Sequence, residues 1–393
     1  MPTKPAIEGG RPVRTKLLPY GHQTITSEDV RVVAKALRSD RITQGPLVDS
    51  FERALARRCR AKHAVVMSSG TAALHAACAV SGLGPGSTGI TTPMTFSASA
   101  NAMVYCGARP DFADVAADWP LLDPTALERI ADPKVKVVLP VDYAGHPSPL
   151  DEIRRLSGER GWTVIEDAAH ALGATYHGQP VGSLADMTVF SFHPVKHITT
   201  GEGGAVLTND EVLAEDLRTF RHHGIVRPPD APPWVYDIPR LGHNFRLTDL
   251  QSALGLSQLR TLGVRVARRR ALAARYAKAF RGLAGLDPPV ERAGCKSSYH
   301  IYPVRIRSGE LRVDRRRIFE ALRAEGLGVQ VHYIPVHLLS VYRTAYGYGT
   351  GDYPRAEAFY EREITLPLFD GMSDRDVEDV IDATTKVFSF YSR

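Results

Sequence analysis

The 393-residue sequence predicts an α/β protein. Residues 1–250 form a large domain with a mostly parallel sheet, residues 1–20 being an N-terminal extension. Residues 251–393 supply a linking helix and a smaller α+β domain. Three observations predict this. Short apolar runs alternate with helical periods from about residue 25 to 245, the pattern of strands joined by crossover helices. A long helical stretch runs from Thr248 to about Phe280. Past the break at Leu286-Asp-Pro-Pro-Val290, strands and helices mix without alternating.

Thr26-Ser-Glu-Asp29 opens the first helix, with Val30, Val33, Ala34 and Leu37 at i, i+3, i+4, i+7. Ala64–Met67 reads as a buried strand and Gly70–Val80 as the helix after it. Gly89–Pro93 is the next strand, with Phe96–Tyr105 helical. Asp123-Pro124 and Ser148-Pro149 each pair an N-cap residue with proline at the first helical position. Val135–Leu139 and Thr163–Ile165 are strands on either side of the helix that Ser148 caps. Met187–Phe192 and Gly204–Thr208 complete the series. Thr248-Asp-Leu-Gln251 has the form of a capping box. Tyr299–Ile306 and Val329–Tyr333 are expected as strands, and Asp314–Ala324 and Asp374–Val387 as helices.

Composition narrows the function classes. Hydrophobic residues make up 44% and charged residues 23%, as in ordinary globular proteins. The four cysteines form no CxxC pair, which argues against a structural zinc site or a disulfide framework and for a reducing cytoplasm. No metal site is expected. No apolar run approaches the roughly 20 residues of a membrane span. The first residues lack the apolar core of a signal peptide. Net charge is +6, mostly dispersed. The densest run, Arg265-Val-Ala-Arg-Arg-Arg270, reads as a solvated helix face rather than a nucleic-acid patch.

The chemistry-bearing residues cluster where strands end, the region where α/β sheets bind ligands. Lys196 lies between an aromatic-rich strand and the Gly201-Glu-Gly-Gly204 turn. Asp167 follows the apolar Val164-Ile165, where a carboxylate is costly unless paired. A lysine and an aspartate so placed suit pyridoxal phosphate (PLP): the lysine forms a Schiff base and the aspartate keeps the ring nitrogen protonated. The other reading of Asp167 is an N-cap for a helix beginning at Ala168. Ser69-Gly70-Thr71 joins a strand to a helix, whose first N–H groups bind phosphate. Ser191 can donate to the same phosphate. Phe96 can stack on the ring, and His170 can reach the ring oxygen.

The segments Asp40-Arg-Ile-Thr-Gln-Gly-Pro46, Ser68-Ser-Gly-Thr-Ala-Ala-Leu74, Thr92-Pro-Met-Thr-Phe96, Ile165-Glu-Asp-Ala-Ala-His170, Ser191-Phe-His-Pro-Val-Lys196, Gly201-Glu-Gly-Gly204 and Gly242-His-Asn-Phe-Arg-Leu-Thr-Asp249 resemble those of the DegT/DnrJ/EryC1/StrS sugar aminotransferases. The resemblance runs from about Ile25 to Phe388. It implies the fold type I architecture of PLP-dependent transferases (aspartate aminotransferase-like). It assigns Lys196 to the Schiff base and Asp167 to the pyridine nitrogen. His170 falls near the ring hydroxyl, Gly70, Thr71 and Ser191 at the phosphate, and Phe96 on the ring. Asn244 would come from a neighbouring subunit, implying a homodimer with a shared site. Arg246 is a candidate for the donor carboxylate, or else a surface ion pair. His332, Tyr333 and His337 are candidates for the sugar side.

The implied reaction transfers the amino group of glutamate, leaving 2-oxoglutarate, to a nucleotide-linked 4-keto-6-deoxy sugar. Ser191–Gly204, Ala253–Leu259 and Val331–His337 are similar to transaminases of the pseudaminic-acid pathway, which aminate C4 of a UDP-linked 4-keto-6-deoxy-N-acetylhexosamine. The phosphate turn here is Ser-Gly-Thr-Ala rather than that group's Ser-Ala-Thr-Ser, which leaves the sugar open. A dTDP-keto-sugar or a keto-cyclitol are the other acceptors. A PLP-dependent dehydratase would carry histidine in place of Lys196. A non-catalytic regulatory homologue would not need the intact set.

Overall fold

In the computed structural model, which describes residues 3–393, the alternating segments build a seven-stranded sheet. Its strands are β1 (His63–Met67), β2 (Thr88–Thr91), β3 (Arg109–Phe112), β4 (Val135–Leu139), β5 (Thr163–Asp167), β6 (Met187–Ser191) and β7 (Gly204–Thr208). The spatial order is β1-β7-β6-β5-β4-β2-β3. Only β7 runs antiparallel to its neighbours. The expected mostly parallel sheet is therefore present.

The strands are apolar on both faces because helices cover both. Val65, Met67, Ile165, Val189 and Val206 pack under helices α3 (Gly70–Val80) and α4 (Ala98–Tyr105). The alternate residues Val66, Phe190, Ala205 and Leu207 pack against α2 (Pro46–Cys59) and α7 (Asp249–Ala279). Helix α5 (Leu150–Arg160) covers β4 and β5 through Ile153 and Leu156. Helix α6 (Glu211–Arg221) reaches the first cluster through Leu217 and Phe220.

The 31-residue α7 starts at the expected capping box, Thr248 with Gln251. Its far end enters a second core. There Leu272, Tyr276 and Phe280 meet the antiparallel sheet of β8 (Leu286–Asp287), β9 (Tyr302–Ile306) and β10 (Glu363–Leu366), with helices α8 (Arg315–Ala324) and α9 (Asp374–Tyr391).

Several expectations are corrected. Residues 3–20 are not an outlying extension. Leu18–Pro19 pairs in parallel with Leu327–Gly328, and the N–H groups of Ala6 and Val13 donate to the Glu325 carboxylate. Ser148 does not cap α5; its N–H donates to Asp142 and its hydroxyl to Val141 O, and the helix begins after Pro149. No helix follows Asp167; residues 169–173 are turns. Val329–Tyr333 is not a strand: pairing stops at Gly328, with one bridge from Gln330 to Thr365. The first helix, α1 (Ser27–Leu37), does not bury the stripe its spacing suggested. Val30 and Leu37 are exposed, whereas Asp29 and Ala36 are buried. Asp29 is turned inward by its own capping box and by Gln258 Nε2 at 2.7 Å.

The arginine run on α7 is not a solvated face either. Arg265 and Arg269 are buried and face Asp370, Arg268 pairs with Asp374, and Arg270 donates to Ser297 O. Among the described residues, no helix is long and apolar enough to cross a membrane.

Asp249 links the two ends of this scaffold. It is buried at the start of α7, yet its carboxylate accepts from the N–H of Gly45, the N-cap of α2, at 2.7 Å and from Leu47 N in the first turn of α2 at 3.0 Å. Asp249→Ala leaves both groups unpaired. The expected loss is about 2 kcal/mol or more of unfolding free energy, read as a lower denaturant midpoint.

Candidate active site

The carboxyl ends of β1, β5 and β6 converge on one place. Asp167 ends β5 and is buried. Its Oδ1 accepts from Ala169 N at 3.1 Å and its Oδ2 from Ser99 Oγ at 2.7 Å. The Ser99 proton is committed to Asp167, so the Thr95 hydroxyl, 2.7 Å from Ser99 Oγ, is the donor to Ser99. Burial pushes the Asp167 pKa up, while Ser99, Ala169 N–H and the Lys196 charge pull it down; the net direction is upward. A buried carboxyl in this state gains from a cation placed against it.

Lys196 follows β6 through a tight turn in which its N–H donates to His193 O. Its Nζ lies 3.4 Å from His300 Nε2. Burial lowers its pKa to about 8, with Asp167 opposing and Arg269 reinforcing that shift. An amine neutral for part of the time at physiological pH is what a nucleophilic lysine requires.

The turn Ser69-Gly70-Thr71 opens α3. Ser69 Oγ caps it by accepting from Ala72 N, which leaves the earlier N–H groups without helical partners. Ser191, at the end of β6, sits across from it. A Cβ on Gly70 would lie 3.0 Å from Ser191 Cβ and 3.1 Å from its Oγ. A Cβ on Gly204 would lie 2.5 Å from Ser69 O. Only glycine permits this approach of three strand ends, which forms a small cradle of N–H and hydroxyl groups at a helix N-terminus.

His170 is buried, and burial together with the Lys196 charge holds its pKa well below the usual imidazole range. Its Nε2 lies 3.2 Å from the Tyr333 hydroxyl. Phe96 is exposed with its ring 5.9 Å from that of Tyr333. His332 is less free: Nδ1 lies 2.8 Å from Thr365 Oγ1, and the residue is buried against Tyr20.

Three expected residues stand elsewhere. His337 is wholly buried, with Nε2 3.0 Å from Glu357 Oε1 and its ring against Phe112 and Tyr353. Arg246 Nη1 lies 2.9 Å from His222 Nδ1, in an open groove of about 1580 Å³ shared with Arg31, Arg218 and Arg221. Asn244 is exposed and bridges to His222, on the segment that runs outside edge strand β1. Ser99, Thr95 and His300 were missed. Thr95 and Ser99 carried one signal, polar residues four apart at the start of an otherwise apolar helix. His300 carried none, being 104 residues from Lys196.

The DegT/DnrJ/EryC1/StrS aminotransferase family model matches residues 23–385. The chain belongs to this family. As a DegT/DnrJ/EryC1/StrS member it has the fold type I architecture, is a transaminase and depends on PLP. It is 36% identical over 368 residues to the UDP-4-amino-4,6-dideoxy-N-acetyl-beta-L-altrosamine transaminase of Campylobacter jejuni, covering 93% of this chain and 96% of that one. Helicobacter pylori PseC, an aminotransferase of pseudoaminic acid biosynthesis, superposes with a TM-score of 0.90 at 33% identity, covering 96% and 100%. The putative sugar aminotransferase Spr1654 of Streptococcus pneumoniae in its PLP form gives 0.89 at 32%, covering 95% and 99%.

The residues present fit PLP. The cradle at Gly70 has room for a phosphate only because no side chain fills it. Asp167 is a buried acid in want of a cation, and Nδ1 of His170 is buried without a hydrogen-bond partner. Gly70→Ala pushes a methyl into Ser191 and closes the cradle. The expected result is at least about tenfold weaker PLP binding in an absorbance titration, with unfolding free energy changed by under about 1 kcal/mol.

Proposed function

We propose that this aminotransferase moves the amino group of glutamate to C4 of a nucleotide-linked 4-keto-6-deoxy sugar, a UDP-linked N-acetylhexosamine. The observation that carries the reading is the pairing of a buried acid, Asp167, with a pKa-lowered amine, Lys196, beside the Gly70 cradle. The similarity to a named UDP-sugar transaminase supports the substrate class.

When bound, PLP supplies an electron sink for the bond to the α-hydrogen. The chain's residues do the rest. Gly70 and Thr71 N–H groups with Ser191 hold the phosphate. Asp167, steadied by Ser99 and Thr95, holds a proton on the ring nitrogen. His170, kept neutral and tied to Tyr333, sits at the ring hydroxyl. Phe96 covers the ring. Lys196 Nζ would hold the cofactor covalently and, as a free amine, would take the proton from the carbon bearing the amino group. His332 and Tyr333 border the open side where the sugar enters.

Asn244 completes the phosphate site of a second subunit in a homodimer, and Arg246 beside it receives the donor carboxylate. Support comes from the exposure of Asn244 and from exposed Trp234 and Leu241 on the same segment, an apolar surface of the kind that marks interfaces. We place the enzyme in the cytoplasm, the compartment that its unpaired cysteines suit.

The purified enzyme, given glutamate and a panel of UDP- and dTDP-keto-sugars, is expected to release 2-oxoglutarate and a 4-amino sugar identifiable by NMR. Lys196→Ala is expected to lower turnover by at least about 10²-fold; near wild-type turnover overturns the reading. Shared sites have a separate signature. Lys196→Ala and Asn244→Ala homodimers are each inactive, but mixed after unfolding and refolding they regain about a quarter of wild-type activity, since half the dimers then hold one intact site. No recovery would show that each subunit is self-sufficient.

A further inference from the structure

His300 has no part in the assignments above, yet its Nε2 lies 3.4 Å from Lys196 Nζ, at the long end of hydrogen-bond range. The residue is buried and cannot swing away. Its backbone is fixed, the N–H donating to Ala144 O at 3.0 Å and the carbonyl accepting from Arg269 Nη1 at 3.1 Å. Its ring packs 4.3 Å from that of His170 and 5.7 Å from that of His197.

Nδ1 of His300 is buried without a partner. A proton there would be an orphaned donor, so the favoured tautomer carries it on Nε2, the nitrogen that has a contact. An imidazole N–H has nothing to give an ammonium, but it can donate to the lone pair of a neutral amine. We propose that His300 is a positioning residue for Lys196, giving the free amine a docking point that accepts it only unprotonated. The inference rests on Lys196 being the reactive amine. The groups facing this pair are Asp167, which favours the ammonium, Arg269, which opposes it, and His170, His197 and His332, which burial keeps neutral.

The test reads the amine directly. The full-length chain, stripped of PLP, is labelled with trinitrobenzenesulfonate across a pH series, and modification of Lys196 is followed by peptide mass spectrometry. Wild type is expected to label half-maximally near pH 8. His300→Phe keeps the ring's bulk and loses the donor; its midpoint is expected about one pH unit higher. His300→Gln, with an N–H at the same reach, is expected within about 0.3 unit of wild type. It also keeps the test alive if His300→Phe does not fold. An unmoved or lower His300→Phe midpoint overturns the proposal, as does a full-unit rise in His300→Gln. A purely structural role would lower thermal stability and leave the midpoint in place. A wild-type midpoint near the ordinary lysine value of 10.5 would instead sink the reading of Lys196 itself.

Discussion

One buried guanidinium organises the junction on which the site stands. Arg269, at 1% exposure, projects from the middle of α7 and donates to the carbonyls of Tyr299, His300 and Leu368, with Asp370 at 3.7 Å. Its Nη1 makes all three of these bonds, while Nε is buried without a partner. Tyr299 adopts φ of 49°, a region that non-glycine residues rarely occupy. Fixing the carbonyls on either side of the next peptide holds that conformation and sets where His300 points. The same helix caps α2 through Asp249 and carries Tyr276 and Phe280 into the second core. A 31-residue helix, about 46 Å long, thus sets the distance between the two sheets.

Around that frame the site is an exercise in withholding charge. Four histidines surround Lys196, and burial drives the pKa of each down, His332 to about 4. A cluster of imidazolium ions would oppose an ammonium at Lys196 and any cation placed beside Asp167. Kept neutral, the rings act as donors, acceptors and spacers. The acid is treated in the opposite way. Asp167 receives two hydrogen bonds but not enough to bring its pKa below the ordinary range, so it is left receptive to a cation.

The sheet, the long helix and the placement of Lys196 and Asp167 at strand ends were legible because each rests on a local signal. Strand period, a capping box and glycine turns are all written within a few residues. The errors have a common cause in tertiary partners. Arg265 and Arg269 look solvated until Asp370, about a hundred residues away, is brought to them. Ser148 has the form of an N-cap, but Asp142 and Val141 take its polar groups first. Val329–Tyr333 alternates like a strand, yet after Gly328 no neighbouring strand continues beside it. His337 resembles a site histidine until its partner Glu357 is found. His300 was invisible because nothing near it in sequence hints at Lys196.

The opening segment has a consequence for biosynthesis. Its anchor, Glu325, lies 319 residues downstream of Ala6, and the pairing partner of Leu18 is Leu327. During synthesis residues 3–20 are therefore made long before their partners and are late to find their place. The large sheet can assemble while synthesis continues, but this segment has no partner until Glu325 and Leu327 have emerged. Contacts of such separation close large loops and slow the final step of folding. A product truncated before Glu325 would therefore leave residues 3–20 without their anchor as well.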